Sequence, residues 1–150
     1  MLLADEKTEV FQKQETRLLI ARSAMIQNNL SLAKQQYGIL AQENKSEAKS
    51  EALYQLAFIE YKEGDMEKAE KQIFNMLVNI TDDYWLAKSY ILLGDIYLEK
   101  GNSFQAKHTY LSIMENYDGE ELKNEATQKY NLIIEQENKE KEKTIKEEED

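Results

Sequence analysis

Three alanines set the frame for this chain. Ala33, Ala69 and Ala106 lie 36 and 37 residues apart, and each is followed four and seven residues later by larger apolar groups: Tyr37 and Leu40, Ile73 and Met76, Tyr110 and Ile113. Twelve residues before each stands a second small residue, Ala21, Ala57 and Gly94, preceded by Ile20, Leu56 and Leu93. Five residues before each stands Asn28, Gly64 or Gly101. A period of this length marks stacked supersecondary units. Asn and Gly accept the left-handed conformation that closes helices, so each period reads as a helix, a sharp turn and a second helix. Small residues at both positions let the paired helices approach closely. The larger residues at +4 and +7 share one helix face. Each pair then exposes an apolar side that only a neighbouring pair can cover.

The chain has no proline and only five glycines, so little interrupts long helices. Seven are expected: about Asp5 to Gln27, Leu30 to Gln42, a Ser46-capped helix to Glu63, an Asp65-capped helix to Asn79, one opened by Thr81-Asp82-Asp83 and ending near Lys100, one opened by Asn102-Ser103, and a last one from Asp118-Gly119-Glu120-Glu121, which has a capping-box pattern. The apolar stripe of the last helix is Leu122, Ala126, Tyr130, Ile133 and Ile134. After about Glu137 only Ile145 is apolar, so residues 138–150 read as a charged, frayed or disordered tail. Either further repeats precede the first pair, or the first helix caps itself.

The repeat resembles the tetratricopeptide repeat. The third copy carries it best, with Tyr90, Leu93-Gly94, Tyr97, Gly101, Ala106 and Tyr110. The second has Leu56-Ala57, Gly64-Asp65 and Ala69, and the first Ile20-Ala21, Asn28-Asn29, Ala33 and Tyr37. The departures are the absent proline, Leu40, Met76 or Ile113 at the second small position, and a period longer than the family's ~34 residues. The extra length belongs in the connections between repeats. The resemblance implies an all-α, right-handed α-solenoid: one domain over 1–137, with helix pairs at about 14–45, 50–80 and 87–118 and a capping helix at about 119–137.

The resemblance also implies a binding groove. The first helix of each pair lines the concave face, at offsets −3, +1, +4 and +5 from the small residue. These are Leu18, Arg22, Met25 and Ile26, then Tyr54, Phe58, Tyr61 and Lys62, then Ile91, Asp95, Leu98 and Glu99. The middle of such a groove is aromatic, unless those rings are core. Some members clamp an acidic C-terminal peptide with Lys, Asn and Arg at these offsets. Here Leu18, Tyr54 and Ile91, and then Arg22, Phe58 and Asp95, occupy them, so that clamp is absent.

Charge and composition narrow the function. The net charge is −10 and no Lys/Arg cluster stands out, which argues against nucleic acid and anionic membrane surfaces as partners. There is no cysteine, hence no disulfide, thiol nucleophile or thiolate metal site. No apolar run approaches the ~20 residues of a membrane span. The opening Met1 to Glu6 lacks the apolar core of a signal peptide. A cytoplasmic location is the default, and a periplasmic one would need an export signal ahead of residue 1. The single histidine, His108, is expected on the outer surface and builds no triad or metal set. Asp82 and Asp83 read as helix-start carboxylates before they read as ion ligands. Asn44-Lys45-Ser46 and Asn79-Ile80-Thr81 match the glycosylation pattern, which arises often by chance. The acidic end Glu147 to Asp150 reads as a solvating tail. Gly64-Asp65 and Gly101-Asn102 are turns, not phosphate loops.

The expected function is therefore a non-catalytic protein-interaction scaffold without cofactor or metal. It would take a peptide segment or helix of a partner, with Leu18, Met25, Tyr54, Phe58, Tyr61, Ile91 and Leu98 as apolar contacts and Arg22, Lys62, Asp95 and Glu99 at the rim. The alternative is an assembly module that joins copies of the chain or docks onto further repeats.

Overall fold

The computed structural model describes residues 4–44 and 46–149, and side chains through 147. The expectations on Met1 to Leu3, on Lys45 of the first glycosylation pattern and on the side chains of Glu148 to Asp150 lie outside the described residues. Among those described there are seven helices and no strand: α1 (Ala4–Ile26), α2 (Leu30–Leu40), α3 (Glu47–Lys62), α4 (Met66–Met76), α5 (Asp83–Glu99), α6 (Ser103–Asn116) and α7 (Glu120–Glu149). They form two compact units, Met1–Leu86 and Ala87–Asp150.

One local device, used three times, makes the helix pairs. Asn28, Gly64 and Gly101 all have positive φ, at 56°, 86° and 76°. At each, two backbone bonds close the preceding helix. Asn28 N–H donates to Met25 O and Asn29 N–H to Ala24 O. Gly64 donates to Tyr61 and Asp65 to Glu60, and Gly101 donates to Leu98 and Asn102 to Tyr97. This is the Schellman arrangement, which satisfies carbonyls that a helix end leaves without partners. The second residue of each dipeptide then caps the next helix. Asn29 Oδ1 accepts from Leu32 N–H, Asp65 Oδ1 from Lys68 N–H and Asn102 Oδ1 from Gln105 N–H. Only Asn28 bears a side chain in the left-handed region. Asn28→Gly should therefore raise the melting temperature slightly, while Gly64→Ala or Gly101→Ala should lower stability by about 1 kcal/mol each. Thermal unfolding checks all three.

The connections between pairs are longer, covering residues 41–46 and 77–82 against 27–29, 63–65 and 100–102 within pairs. The 77–82 connection is tied down: Ile80 is buried, and Thr81 N–H donates to the buried Ser50 Oγ at 3.2 Å. It draws the chain away from the helix path, so α4 stops at Met76 rather than near Asn79. Asp82 starts α5, its Oδ1 accepting from Trp85 N–H.

In the first unit α1 packs on α2, α2 on α3 and α3 on α4. Leu18, Ala21, Ala24, Ala33, Tyr37, Leu40, Ala52 and Ile59 share one core, and Ala57, Ala69, Ile73 and Met76 are also buried. The small and large residues that set the period thus face inward. In the second unit Ala106, Tyr110 and Ile113 of α6 are buried, as are Leu122, Ala126 and Ile133 of α7. Lys107 Nζ donates to Glu137 Oε2 at 2.8 Å, joining α6 to α7 and holding that carboxyl below its usual range.

α7 runs past the expected end at Glu137 to Glu149, and its side chains from 138 to 147 are exposed. Glu, Lys and Gln are strong helix formers. Neighbours one turn apart add support, as where Gln136 Nε2 donates to Glu140 Oε1. Helical backbone here needs no buried partner.

Candidate partner-binding face

Helix α3 carries two different surfaces because its residues recur every 3.6 positions. Tyr54, Phe58 and Tyr61, at i, i+4 and i+7, fall on one of them. Tyr54 and Phe58 have ring centroids 5.9 Å apart and lie 12° from parallel. Phe58 and Tyr61 continue the row at 6.3 Å and 22°. The start of α5 adds Trp85, 5.4 Å from Tyr54, with Tyr84 edge-on to it at 5.1 Å. Lys62 Nζ lies 5.9 Å from the Phe58 centroid, within cation–π range. Tyr54 is only 7% exposed and anchors the row, while Phe58, Tyr61 and Trp85 are half-buried. The result is a pre-stacked strip of partly accessible rings.

Beside it, α1 contributes Arg22. Its Nε and Nη2 donate to Glu51 Oε1 and Oε2 at 2.8 and 2.5 Å. Glu51 is almost completely buried and also lies 3.5 Å from the Tyr37 hydroxyl, which donates to Oε1. Burial, and then the Glu51 charge, push the Tyr37 hydroxyl well above the usual phenol range. Arg22 is thus committed to tying α1 to α3, with about half of its side chain still accessible. A second buried carboxylate, Glu60, joins three helices. Lys34 Nζ of α2 is 2.6 Å from Oε1, and Lys68 Nζ of α4 is 2.8 Å from Oε2. Burial pushes the Glu60 carboxyl up, but the two ammonium groups outweigh it and hold the group below its usual range.

The other expected groove residues are placed differently. Leu18 is buried in the first unit's core and Met25 packs, partly buried, against it. Ile26 stands out at 87% exposed. In the second unit Ile91 is buried and Leu98 is exposed. Asp95 is not a free rim charge, because its Oδ1 accepts from the Tyr110 hydroxyl at 2.6 Å and from Lys129 Nζ at 2.8 Å. Tyr54, Phe58, Tyr61 and Lys62 are the expected residues that form one cluster. Sequence reasoning missed Trp85, although a lone tryptophan just inside a capped helix was a signal. It also missed Glu51 and Glu60, whose acidic side chains interrupt the inward face of α3.

Among the described residues no group of three or more His, Asp or Glu is placed to hold a metal ion. His108 sits exposed on α6 with its ring edge-on to Phe104 at 4.5 Å. No helix of the described residues is long and apolar enough to cross a membrane. A family model for a tetratricopeptide repeat-like domain matches residues 2–135. No match is found among curated proteins.

Proposed function

The chain belongs to the tetratricopeptide repeat-like domain family, and from that membership we propose that it is a protein-binding module whose contact surface is the aromatic strip on α3. Domains of this kind are protein–protein interaction modules. The observation that carries the finer reading is the half-buried row Phe58, Tyr61 and Trp85, stacked on buried Tyr54. Large apolar rings left accessible together mark interaction sites, and aromatic residues dominate binding energy at interfaces. Stacking fixes these rings before a partner arrives, so little side-chain freedom remains to be lost on docking. Lys62 adds a positive charge beside the Phe58 ring. The fitting partner is an extended segment or helix that offers apolar anchors. No reaction is assigned to this surface.

A second reading, self-association, draws on α1. Leu19 and Ile26 stand two turns apart on that helix, 62% and 87% exposed. One experiment separates the two readings. Tagged protein is used to retain partners from the source lysate, beside a Phe58→Ala, Tyr61→Ala variant of equal melting temperature. Tyr54 is left in place because it is buried. The strip reading expects a distinct protein retained by the first and reduced at least tenfold with the second. Equal retention by both forms would remove the strip from consideration. Recovery of the untagged chain itself favours the assembly reading.

A further inference from the structure

Helix α1 outruns the helix it is paired with. It is 23 residues long and α2 only 11, so about 18 Å of α1 runs on beyond the end of α2. Every side chain from Ala4 to Lys13 is exposed. Phe11 lies in this stretch, 61% exposed. It stands seven residues before Leu18 and fourteen before Met25, which face the first unit's core, so it shares their side of the helix. The inward stripe of α1 thus continues past the point where the chain's own core ends.

The residues that flank Phe11 are matched about it. Thr8 and Gln14, three positions away on either side, are both uncharged and able to hydrogen-bond. Lys7 and Glu15, four positions away, are opposite in charge. All four lie within about 60° of Phe11 around the helix. Two neighbouring cations are committed within the chain: Lys13 Nζ lies 2.7 Å from Glu9 Oε1, and Arg17 donates to Gln36.

We propose that this face joins two copies of the chain, their α1 helices antiparallel and meeting at Phe11. A closed pair of identical chains needs a patch that is complementary to itself. A two-fold axis at Phe11 sets residue 7 of one copy beside residue 15 of the other, and residue 8 beside residue 14. Phe11 then packs on its own counterpart, Thr8 meets Gln14, and Lys7 meets Glu15 on both sides of the axis. A parallel pair would set Lys7 against Lys7 and Glu15 against Glu15, which is repulsive. The partner's helix takes up the line that α2 leaves, since α2 also runs antiparallel to α1 after the short 27–29 turn. The pairing ends at Leu18, which the chain's own core already covers. Charge also favours contact here. Two copies of net −10 repel one another, but residues 4–17 hold four carboxylates and three cations, a net of −1. The proposal rests on the assembly reading, to which it gives a defined contact on residues other than Leu19 and Ile26.

The test is sedimentation equilibrium over a hundredfold range of concentration. The native chain should rise from 17.6 kDa towards twice that mass. Phe11→Ala should weaken association at least tenfold, and Lys7→Glu or Glu15→Lys at least fivefold, with helix content by circular dichroism unchanged. Mixing the Lys7→Glu and Glu15→Lys variants, or placing both changes in one chain, should restore association, because opposite charges then meet again. A Leu19→Ser, Ile26→Ser variant should associate like the native chain. A mass that stays at the monomer throughout, charge variants that associate like the native chain, or a paired exchange that restores nothing would each overturn the proposal. Association lost in the Leu19→Ser, Ile26→Ser variant and kept in Phe11→Ala would place the contact at the other end of α1, overturning this proposal while the assembly reading stands.

Discussion

Replacing Lys34 and Lys68 together by methionine should destabilise the first unit at pH 7 by about 3 kcal/mol and reverse the acid side of its stability profile. Glu60 is 2% exposed and faces both ammonium groups. In the native protein its carboxyl is held below the usual range. A carboxyl with a depressed folded value contributes stability above its unfolded value, and that contribution is lost as pH falls through the folded value. With both lysines gone, burial acts alone and lifts the folded value above the unfolded one. The variant should therefore gain stability on acidification from pH 7 towards the ordinary carboxylate range, where the native protein gains none from this group. Trp85 is the single tryptophan and belongs to the first unit, so its fluorescence reports the relevant unfolding in urea. Adding Glu60→Leu to the two methionines should restore most of the loss, because an all-apolar replacement of a buried ion cluster is often neutral or better. The lysines are 36% and 50% exposed in their side chains, so water can reach part of the site. A profile parallel to that of the native protein would show that it does so freely, and that Glu60 is not held by the two lysines.

Gly94→Ala should lower the melting temperature of the second unit by several degrees, against the general rule. In a helix interior this exchange normally gains up to about 1 kcal/mol. Here a Cβ at Gly94 would run into Cε1 of the Tyr110 ring, well inside van der Waals contact. The Tyr110 ring is fully buried and its hydroxyl is bonded to Asp95, so it has nowhere to swing. Overpacking of this kind costs about 1–3 kcal/mol, which exceeds the propensity gain. The first repeat carries alanine at the same position. Tyr37 stands to Ala21 as Tyr110 stands to Gly94, but its hydroxyl is directed to Glu51 on α3 and not back to the residue after Ala21. In a Tyr110→Leu background Gly94→Ala should become neutral or stabilising, and a double-mutant cycle read by calorimetry measures that coupling. If the alanine costs the same in both backgrounds, the ring is not the obstacle.

Much of the fold was legible because backbone requirements leave local marks. Asn28, Gly64 and Gly101 were readable as helix ends, since few residues take positive φ. The inward faces were readable because Ala33, Tyr37 and Leu40 and their counterparts keep helical spacing. Less of the candidate surface was legible. Offsets carried over from the family named Tyr54, Phe58, Tyr61 and Lys62, which do cluster, but spacing says nothing about depth. Leu18 and Ile91 share those offsets and are buried. Arg22 and Asp95 looked like rim charges because their partners, Glu51 and Lys129, are 29 and 34 residues away in sequence. A charge reads as solvated until its distant partner is known. The end of α4 was misplaced for a similar reason: the connection's tie to Ser50 lies 31 residues back. The tail after Glu137 read as frayed or disordered because burial was used as the test of order; its helical backbone to Glu149 needs only local helix propensity.

The three turn dipeptides have a consequence for where this chain accepts new sequence. Each assigns one residue to ending a helix and the very next to starting another, so a single inserted residue would separate two tasks that must stay adjacent. The 77–82 connection is little better, being fastened at Ile80 and Thr81. Asn44, between α2 and α3, is itself exposed, and the nearest ties are at its flanks, where Glu43 O accepts from Lys49 Nζ and Ser46 caps α3. That is the seam at which an epitope, a reporter or a further domain can be grafted while the helix pairs on either side keep their register.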